Sequence, residues 1–179
     1  KKMKFNLWKK QNVIAKKLYK KAVGQARQPV FYLSLQIPDS PKGRFELIIF
    51  HTFLILHALK SKVFSDSEKL AQDLFDTMCL DVENNLREMG VSDQRIGKNV
   101  ESLADHIYTK ILLYDNAILG SNEEKLRQTI LENLYKGIAD SHASVKIMVN
   151  YFIQEVSSLE QIPERDLISG KVSFSVPEL

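Results

Sequence analysis

The stretch from Leu47 to Leu59 constrains the fold of this chain more than any other. It is apolar except for two histidines and a threonine. A helix that is apolar around its whole circumference is stable in water only when other elements cover it on every side. Ser40 before Pro41 is typical of a helix start, because serine caps free N–H groups and proline has no N–H to lose. We therefore predict a buried helix from Pro41 to about Lys60. Its apolar run is shorter than the roughly 20 residues that a membrane-spanning helix needs.

Apolar residues recur at helical spacing through most of the rest of the chain, which predicts further helices. These lie at residues 13–27, between residues 65 and 90, between 92 and 120, between 121 and 134, and from about 142 to 159. Ser65 with Glu68, and Ser121 with Glu124, have the spacing of a capping box. Either Ser92 or Asp93 caps the third long helix, while Gly90 and Gly120 are stop signals.

Strand-like alternation of apolar and polar residues is confined to two short stretches, residues 33–37 and 172–176. We expect residues 29–37 to be extended and packed on the body. Pro163 breaks the helical pattern, and we expect Leu167 to Phe174 to form an ordered tail that covers the body. A chain of 179 residues is long enough for one well-buried core. The predicted fold class is therefore all-α: a single compact multi-helix domain, residues 12–179, with a basic N-terminal arm, residues 1–11.

Charge is distributed unevenly along the chain. Residues 1–38 carry nine lysines, one arginine and no acid, whereas the rest carries 15 basic and 22 acidic residues, so a charge of +10 is followed by −7. The arm lacks the pattern of a secretory signal or an organelle transit peptide, and we interpret it as part of the working protein. Three interpretations are open: a solvated amphipathic helix, binding to an anionic membrane surface, and binding to nucleic acid such as RNA. The residues expected to make this contact are Trp8, Lys9, Lys10, Lys16, Lys17, Lys20 and Lys21.

The sequence has no glycine-rich phosphate loop, no Gly-x-Ser-x-Gly elbow and no Cys/His zinc pattern. We expect no enzyme activity, no cofactor and no metal. The alternative is an all-α enzyme that uses Asp73, Asp76 and a histidine around a metal, although we interpret these aspartates as solvated helix acids. We also expect His51 and His57 to be hydrogen-bonded core or boundary histidines.

Two pairs of opposite charges lie at helix ends. Arg44 and Glu46 stand at the start of the apolar helix, and Arg87 and Glu88 stand at the end of the next one. Glu83 precedes Arg87 by four residues, so an ion pair within the helix is one interpretation. The other is that the charges at both helix ends bind another polypeptide. The sequence leaves both interpretations open.

These charged segments belong to a longer series of short motifs. The series comprises Ala26-Arg27 with Phe31-Tyr32, Pro38-Asp39, Gly43-Arg44-Phe45-Glu46 with His51, Gln72 with Leu74-Phe75-Asp76, Leu86 to Val91, and Asp93, Gly97 and Lys98. A weaker match covers Gly170 to Phe174. In this order and spacing the series resembles the ubiquinol-cytochrome c chaperones, which are assembly factors for the respiratory cytochrome bc complex.

The resemblance implies a non-enzymatic chaperone that binds newly made cytochrome b and promotes assembly of the cytochrome bc (ubiquinol-cytochrome c reductase) complex. It also implies a small helper protein and contact with the ribosome or the membrane, but no DNA. The expected location is the cytoplasmic face of a bacterial inner membrane, or the matrix side of the mitochondrial inner membrane. The residues that would bind partners are Asp39, Arg44, Phe45, Glu46, Asp76, Arg87, Glu88, Asp93 and Lys98.

A second hypothesis comes from the apolar helices themselves. The helices containing Leu47 to Leu59 and Val100 to Ile118 would line a cavity in a helical protein that binds a lipid or a quinone.

Overall fold

The structure, a computed structural model, describes residues 12–62, 66–88, 92–120, 122–136 and 142–179. Within these ranges the chain forms eight helices: α1 (Val13–Ala26), α2 (Pro29–Leu33), α3 (Pro41–Ser61), α4 (Ser67–Glu88), α5 (Asp93–Leu119), α6 (Glu123–Leu134), α7 (His142–Glu160) and α8 (Glu164–Leu167). The all-α prediction is confirmed. Trp8, Lys9 and Lys10 of the predicted arm lie outside the described residues, as do the signals predicted at Ser65, Gly90 and Ser121.

Helix α3 is the centre of the molecule. It contacts α1, α4, α5, α6 and α7, and its side chains from Leu47 to Leu59 are buried almost without exception. The predicted cap is confirmed, because the Ser40 hydroxyl accepts a hydrogen bond of 3.1 Å from the Gly43 N–H. No helix in the described ranges is apolar over enough of its length to cross a membrane.

Short connections fix the directions of α3, α4 and α5. Consecutive helices that contact each other across a few linking residues must run antiparallel. The start of α3, the end of α4 and the start of α5 therefore lie at the same end of the bundle. We call this end, formed by residues 38–46, 83–88 and 92–98, the charged end.

One local prediction is wrong. Residues 29–33 form helix α2 and are not extended, because Pro29 starts a helical turn and the Tyr32 hydroxyl donates a hydrogen bond of 2.5 Å to the Ala26 carbonyl. Helix α6 is capped by Asn122, whose side chain accepts from the Lys125 N–H at 3.1 Å. The alternation at residues 33–37 is correct only in its second half, because Leu35 and Ile37 are buried with Gln36 exposed between them, whereas Leu33, at the end of α2, is exposed.

The ordered tail is confirmed. After α8 and a turn that ends at Gly170, residues 171–179 run along the helical body without forming a helix or strand. Val172 is buried, and the Phe174 ring lies edge-on to His51 with 5.2 Å between ring centroids. We call residues 171–179 the strap.

Candidate partner-binding site

At the start of α3, the loop of residues 38–40 packs closely against the first helical turn. A Cβ atom added to Gly43 would lie 2.0 Å from the Pro38 carbonyl oxygen, far inside van der Waals contact. Only glycine allows the loop of residues 38–40 to fold this tightly on the first helical turn. The motif from Pro38 to Gly43 therefore has a structural cause that does not require a partner.

Asp39 and Arg44 form an ion pair on the outer surface of this loop. The Arg44 Nε lies 2.6 Å from the Asp39 Oδ1, and both side chains are more than half exposed. The hydrogen bond from Arg44 lowers the pKa of the Asp39 carboxyl. The guanidinium also lies 5.9 Å from the centroid of the Tyr32 ring. This pair remains accessible to another molecule.

Glu46, two residues further on, faces the interior instead. Its side chain is 4% exposed and lies 3.4 Å from Lys110 Nζ and 3.5 Å from His106 Nε2, both on α5. Lys110 Nζ also donates to Asn133 Oδ1 on α6 at 2.6 Å. Glu46 thus joins α3 to α5 and, through Lys110, to α6. Phe45 is half-buried and packs against the core.

The interpretation of Asp73 and Asp76 as solvated acids is wrong. Both side chains are buried, because α1 packs along α4 and covers this face. Asp73 accepts a hydrogen bond from Asn12 Nδ2 at 2.8 Å, and Asp76 accepts one from Gln72 Nε2 at 2.8 Å. Asp76 also lies about three helical turns from the end of α4, away from the charged end.

The end of α4 contains the ion pair expected within the helix. Arg87 Nη2 lies 2.8 Å from Glu83 Oε1, with Glu83 buried and Arg87 about half exposed. Glu88 is exposed. Asp93 and Lys98 lie in the first two turns of α5, where the structure describes the backbone only. Among the predicted partner-binding residues with described side chains, the accessible charges at the charged end are Asp39, Arg44, Arg87 and Glu88.

The two histidines of α3 occupy the positions expected for them. His51 is fully buried and donates from Nδ1 to the Leu47 carbonyl at 2.8 Å, while the Tyr151 hydroxyl lies 3.1 Å from its Nε2. Burial lowers the pKa of His51 to about 3, so the ring is neutral. His57 lies at the boundary and bonds Glu160 Oε1 at 2.8 Å. In the described parts of the chain, no three His, Cys, Asp or Glu side chains are grouped as metal ligands.

An apolar pocket of about 300 Å³ opens between α5, α6 and α7. Ile118, Leu126, Ile153 and Val156 line it, and Glu123 stands at its edge. It includes part of the Val100 to Ile118 helix but no residue of α3, so it differs from the lipid or quinone cavity predicted between those two helices. No sequence pattern predicted this pocket. Its lining comes from three helices, so no single segment carried a signal for it.

Comparisons with known proteins agree with the resemblance. The family model described as ubiquinol-cytochrome C chaperone matches residues 33–174. The human protein named ubiquinol-cytochrome c reductase complex assembly factor 1 is 25% identical over 173 residues, which cover 96% of this chain and 57% of the human one. The yeast protein named CBP3, mitochondrial, from Saccharomyces cerevisiae is 22% identical over 150 residues, which cover 82% of this chain and 44% of the yeast one.

A solved structure has the same fold. The crystal structure of the Cbp3 homolog from Brucella abortus superposes with a TM-score of 0.81 at 29% identity, covering 93% of this chain and 91% of that one. This chain spans little more than half the length of its human relative. The family match nevertheless extends over most of the described helices and includes both charged motifs. The chain belongs to the ubiquinol-cytochrome C chaperone family.

Proposed function

We propose that this protein is a non-enzymatic chaperone that binds newly made cytochrome b and promotes assembly of the cytochrome bc (ubiquinol-cytochrome c reductase) complex. The observation that carries the proposal is the family match over residues 33–174. The name of the human relative, a ubiquinol-cytochrome c reductase complex assembly factor, supports the same complex as the target. Binding would be the whole mechanism, with no covalent step.

The charged end would bind a partner protein, either a small helper or a polar part of the client. Exposed ion pairs such as Asp39–Arg44 contribute little to stability, because water and salt screen the two charges. Their charges are therefore available for a partner at little cost to the fold. Charges arranged in this way mainly provide specificity and orientation. Glu46 and Asp76, which are buried, would act indirectly by holding the helices in place.

The apolar pocket would receive side chains of the client. An unassembled membrane subunit exposes large apolar surfaces, and exposed apolar patches on a folded protein commonly mark interaction sites. Ile153 lines the pocket and is about half exposed, and Leu119 beside it is largely exposed. A lipid or quinone is the alternative occupant. Its detection by mass spectrometry after solvent extraction of the purified protein would favour the alternative.

The basic residues would keep the chaperone near its client. Lys16, Lys17, Lys20 and Lys21 are all exposed on α1. At about 1 kcal/mol per basic residue near an anionic surface, changing these four to Gln should strongly weaken salt-sensitive binding to anionic vesicles or to ribosomes. A control variant with Lys69, Lys125, Lys136 and Lys146 changed to Gln has the same net charge and should bind normally. Equal binding by both variants would refute a role for α1. The proposed location is peripheral to the inner membrane.

Affinity capture tests the proposed role of the charged end. The tagged full chain should recover newly made cytochrome b, or a small helper, from cells in which respiratory subunits are being synthesised. The double variant Arg44→Ala, Arg87→Ala should recover several-fold less of one of them. Arg165→Ala removes an exposed arginine from α8 and serves as the control. Equal recovery by the double variant would contradict the role given to the charged end.

A further inference from the structure

The strap lies in a groove whose floor is α3 and whose walls are α1 and α7. Both walls pack on α3. At the entrance, Gly170 has φ 76° and approaches Lys17 of α1 so closely that a Cβ atom would lie 2.8 Å from the Lys17 Cβ. Further along, the Phe174 ring meets His51 on the floor. An extended segment therefore fills the space between two helices.

Side chains of the groove hold the backbone of Ser175 from both sides. The Ser175 N–H donates to Glu155 Oε1 of α7 at 2.9 Å, and Gln25 Nε2 of α1 donates to the Ser175 carbonyl at 2.7 Å. The Ser175 hydroxyl donates to the same Glu155 oxygen. Gln25 is itself positioned by the Tyr151 hydroxyl at 2.9 Å. Capture of main-chain groups together with one side-chain site is how grooves recognise extended peptides.

The strap can leave this groove without breaking a helix. In the described chain, the last backbone-to-backbone hydrogen bond before the C-terminus runs from the Lys171 N–H to the Asp166 carbonyl. Among the described residues, the contacts that hold residues 172–179 are side-chain hydrogen bonds and apolar contacts. A segment held in this way opens at a lower free energy than the helical body does.

The strap also leaves one polar atom of the groove without a hydrogen bond among the described residues. Glu155 is 1% exposed, yet its Oε2 has no hydrogen-bond partner in the described part of the chain. A buried carboxylate with an unmet oxygen is costly, and both donors of Ser175 go to the other oxygen, Oε1. An arginine at the position of Ser175 carries enough N–H donors to pair with both carboxylate oxygens.

We propose that the groove between α1 and α7 is a binding site for an extended peptide segment in which an aromatic residue is followed directly by a basic one. The chain's own strap fills the site in cis with the weaker pair Phe174-Ser175. A partner protein with the stronger pair displaces it. This inference goes beyond the proposed chaperone function and does not depend on which client the protein serves.

Peptide competition on the full chain tests the proposal. The probes are synthetic eight-residue peptides with the sequence of residues 172–179, in which the pair at positions 174–175 is Phe-Arg, Phe-Ala or Ala-Arg. The observable is the Ser175 amide in ¹⁵N NMR spectra, whose resonance reports whether the strap is seated. We expect the Phe-Arg peptide to release the strap at a concentration about tenfold lower than the Phe-Ala peptide, which corresponds to one charge-assisted hydrogen bond. The Ala-Arg peptide should not release it. No release by any peptide at millimolar concentration, or equal release by all three, would overturn the proposal.

Two variants of the full chain give an independent test. Ser175→Arg should raise the melting temperature, and this gain should vanish when Glu155→Gln is added. Phe174→Ala should speed hydrogen exchange in residues 172–179 while the helix amides keep their protection. If Phe174→Ala instead lowers the protection of α1, α3 and α7 to the same extent, the strap is an integral part of the core and the groove is not a binding site.

Discussion

Arg44 and Glu46 are two residues apart in the sequence, and the fold places their side chains in opposite environments. Arg44 is exposed and pairs with Asp39, whereas Glu46 is buried beside Lys110. Residues two apart on a helix point about 200° apart, so the sequence places them on opposite faces, but it does not show which face another helix covers. Here α5 covers Glu46, and the loop of residues 38–40 leaves Arg44 in solvent.

Gly43 gives a prediction about the free energy of unfolding. Gly43→Ala should destabilise the protein by about 1–3 kcal/mol or more, because the new methyl group collides with the Pro38 carbonyl oxygen and the loop must move. Guanidinium unfolding of the full chain measures the change.

Gly24→Ala is the matched control. Gly24 lies inside α1 and a Cβ atom there meets nothing within 4 Å. Alanine should therefore stabilise that helix, by up to about 1 kcal/mol. If the two substitutions have the same effect, the close approach at Gly43 does not exist.

His57 provides a prediction about pH. Its ring lies between Asp115 and Glu160, with Lys60 bonded to Asp115 at 2.9 Å and Lys62 bonded to the Glu160 carbonyl at 2.5 Å. The Asp115 carboxylate, 3.8 Å from Nδ1, and then Glu160, which bonds Nε2 at 2.8 Å, raise the pKa of His57 against the opposing effect of burial. A raised pKa in the folded state means that protonated His57 stabilises the fold.

The stabilisation by His57 should be complete below its unfolded pKa of about 6.5 and should disappear as pH rises through the higher folded pKa. The difference in melting temperature between the wild type and His57→Gln should therefore shrink between pH 6 and pH 9. Asp115→Asn should flatten this dependence, because it removes the main cause of the shift. A difference that stays constant over this range would show that His57 does not titrate as inferred.

At the scale of elements, most of the helices were predictable from the sequence. The end of α3 is one residue from its predicted place, because capping residues and apolar periodicity are local signals. The prediction failed at α2, where a single turn carries too few residues for a period to show. It also failed for Asp73 and Asp76, since their burial is caused by α1, a helix that is distant in sequence. The sequence predicted which segments form the charged end, but not which of their side chains are exposed. The pocket between α5, α6 and α7 was not predictable, because residues of all three helices line it.

A substitution on α7 tests whether the apolar pocket contacts the client. Ile153→Gln places an amide in the apolar pocket and should reduce recovery of newly made client several-fold in affinity capture, with little loss of stability because Ile153 is about half exposed. Leu112→Gln is the control, since Leu112 is similarly exposed on α5 but does not line the pocket. Equal recovery by both variants would rule out the pocket as a contact for the client.

At the scale of the whole molecule, the protein is a bundle built around one apolar helix, with different properties at its surfaces. The charged end presents exposed ion pairs, the α5–α6–α7 face presents an apolar pocket, and α1 presents exposed lysines. A chaperone that holds an unassembled membrane subunit needs surfaces of these kinds: an apolar contact, a polar contact that sets orientation, and an attraction to the place of synthesis. The family resemblance was visible in the sequence because its motifs shape the turns and helix ends that position these surfaces.

Deletion of the gene is the most direct test of the proposed function. We expect the assembled cytochrome bc complex to disappear from native gels of the membranes while other respiratory complexes remain at normal levels, and the wild-type gene to restore it. Normal amounts of the cytochrome bc complex in the deletion strain, or an equal loss of all respiratory complexes, would contradict the proposed function.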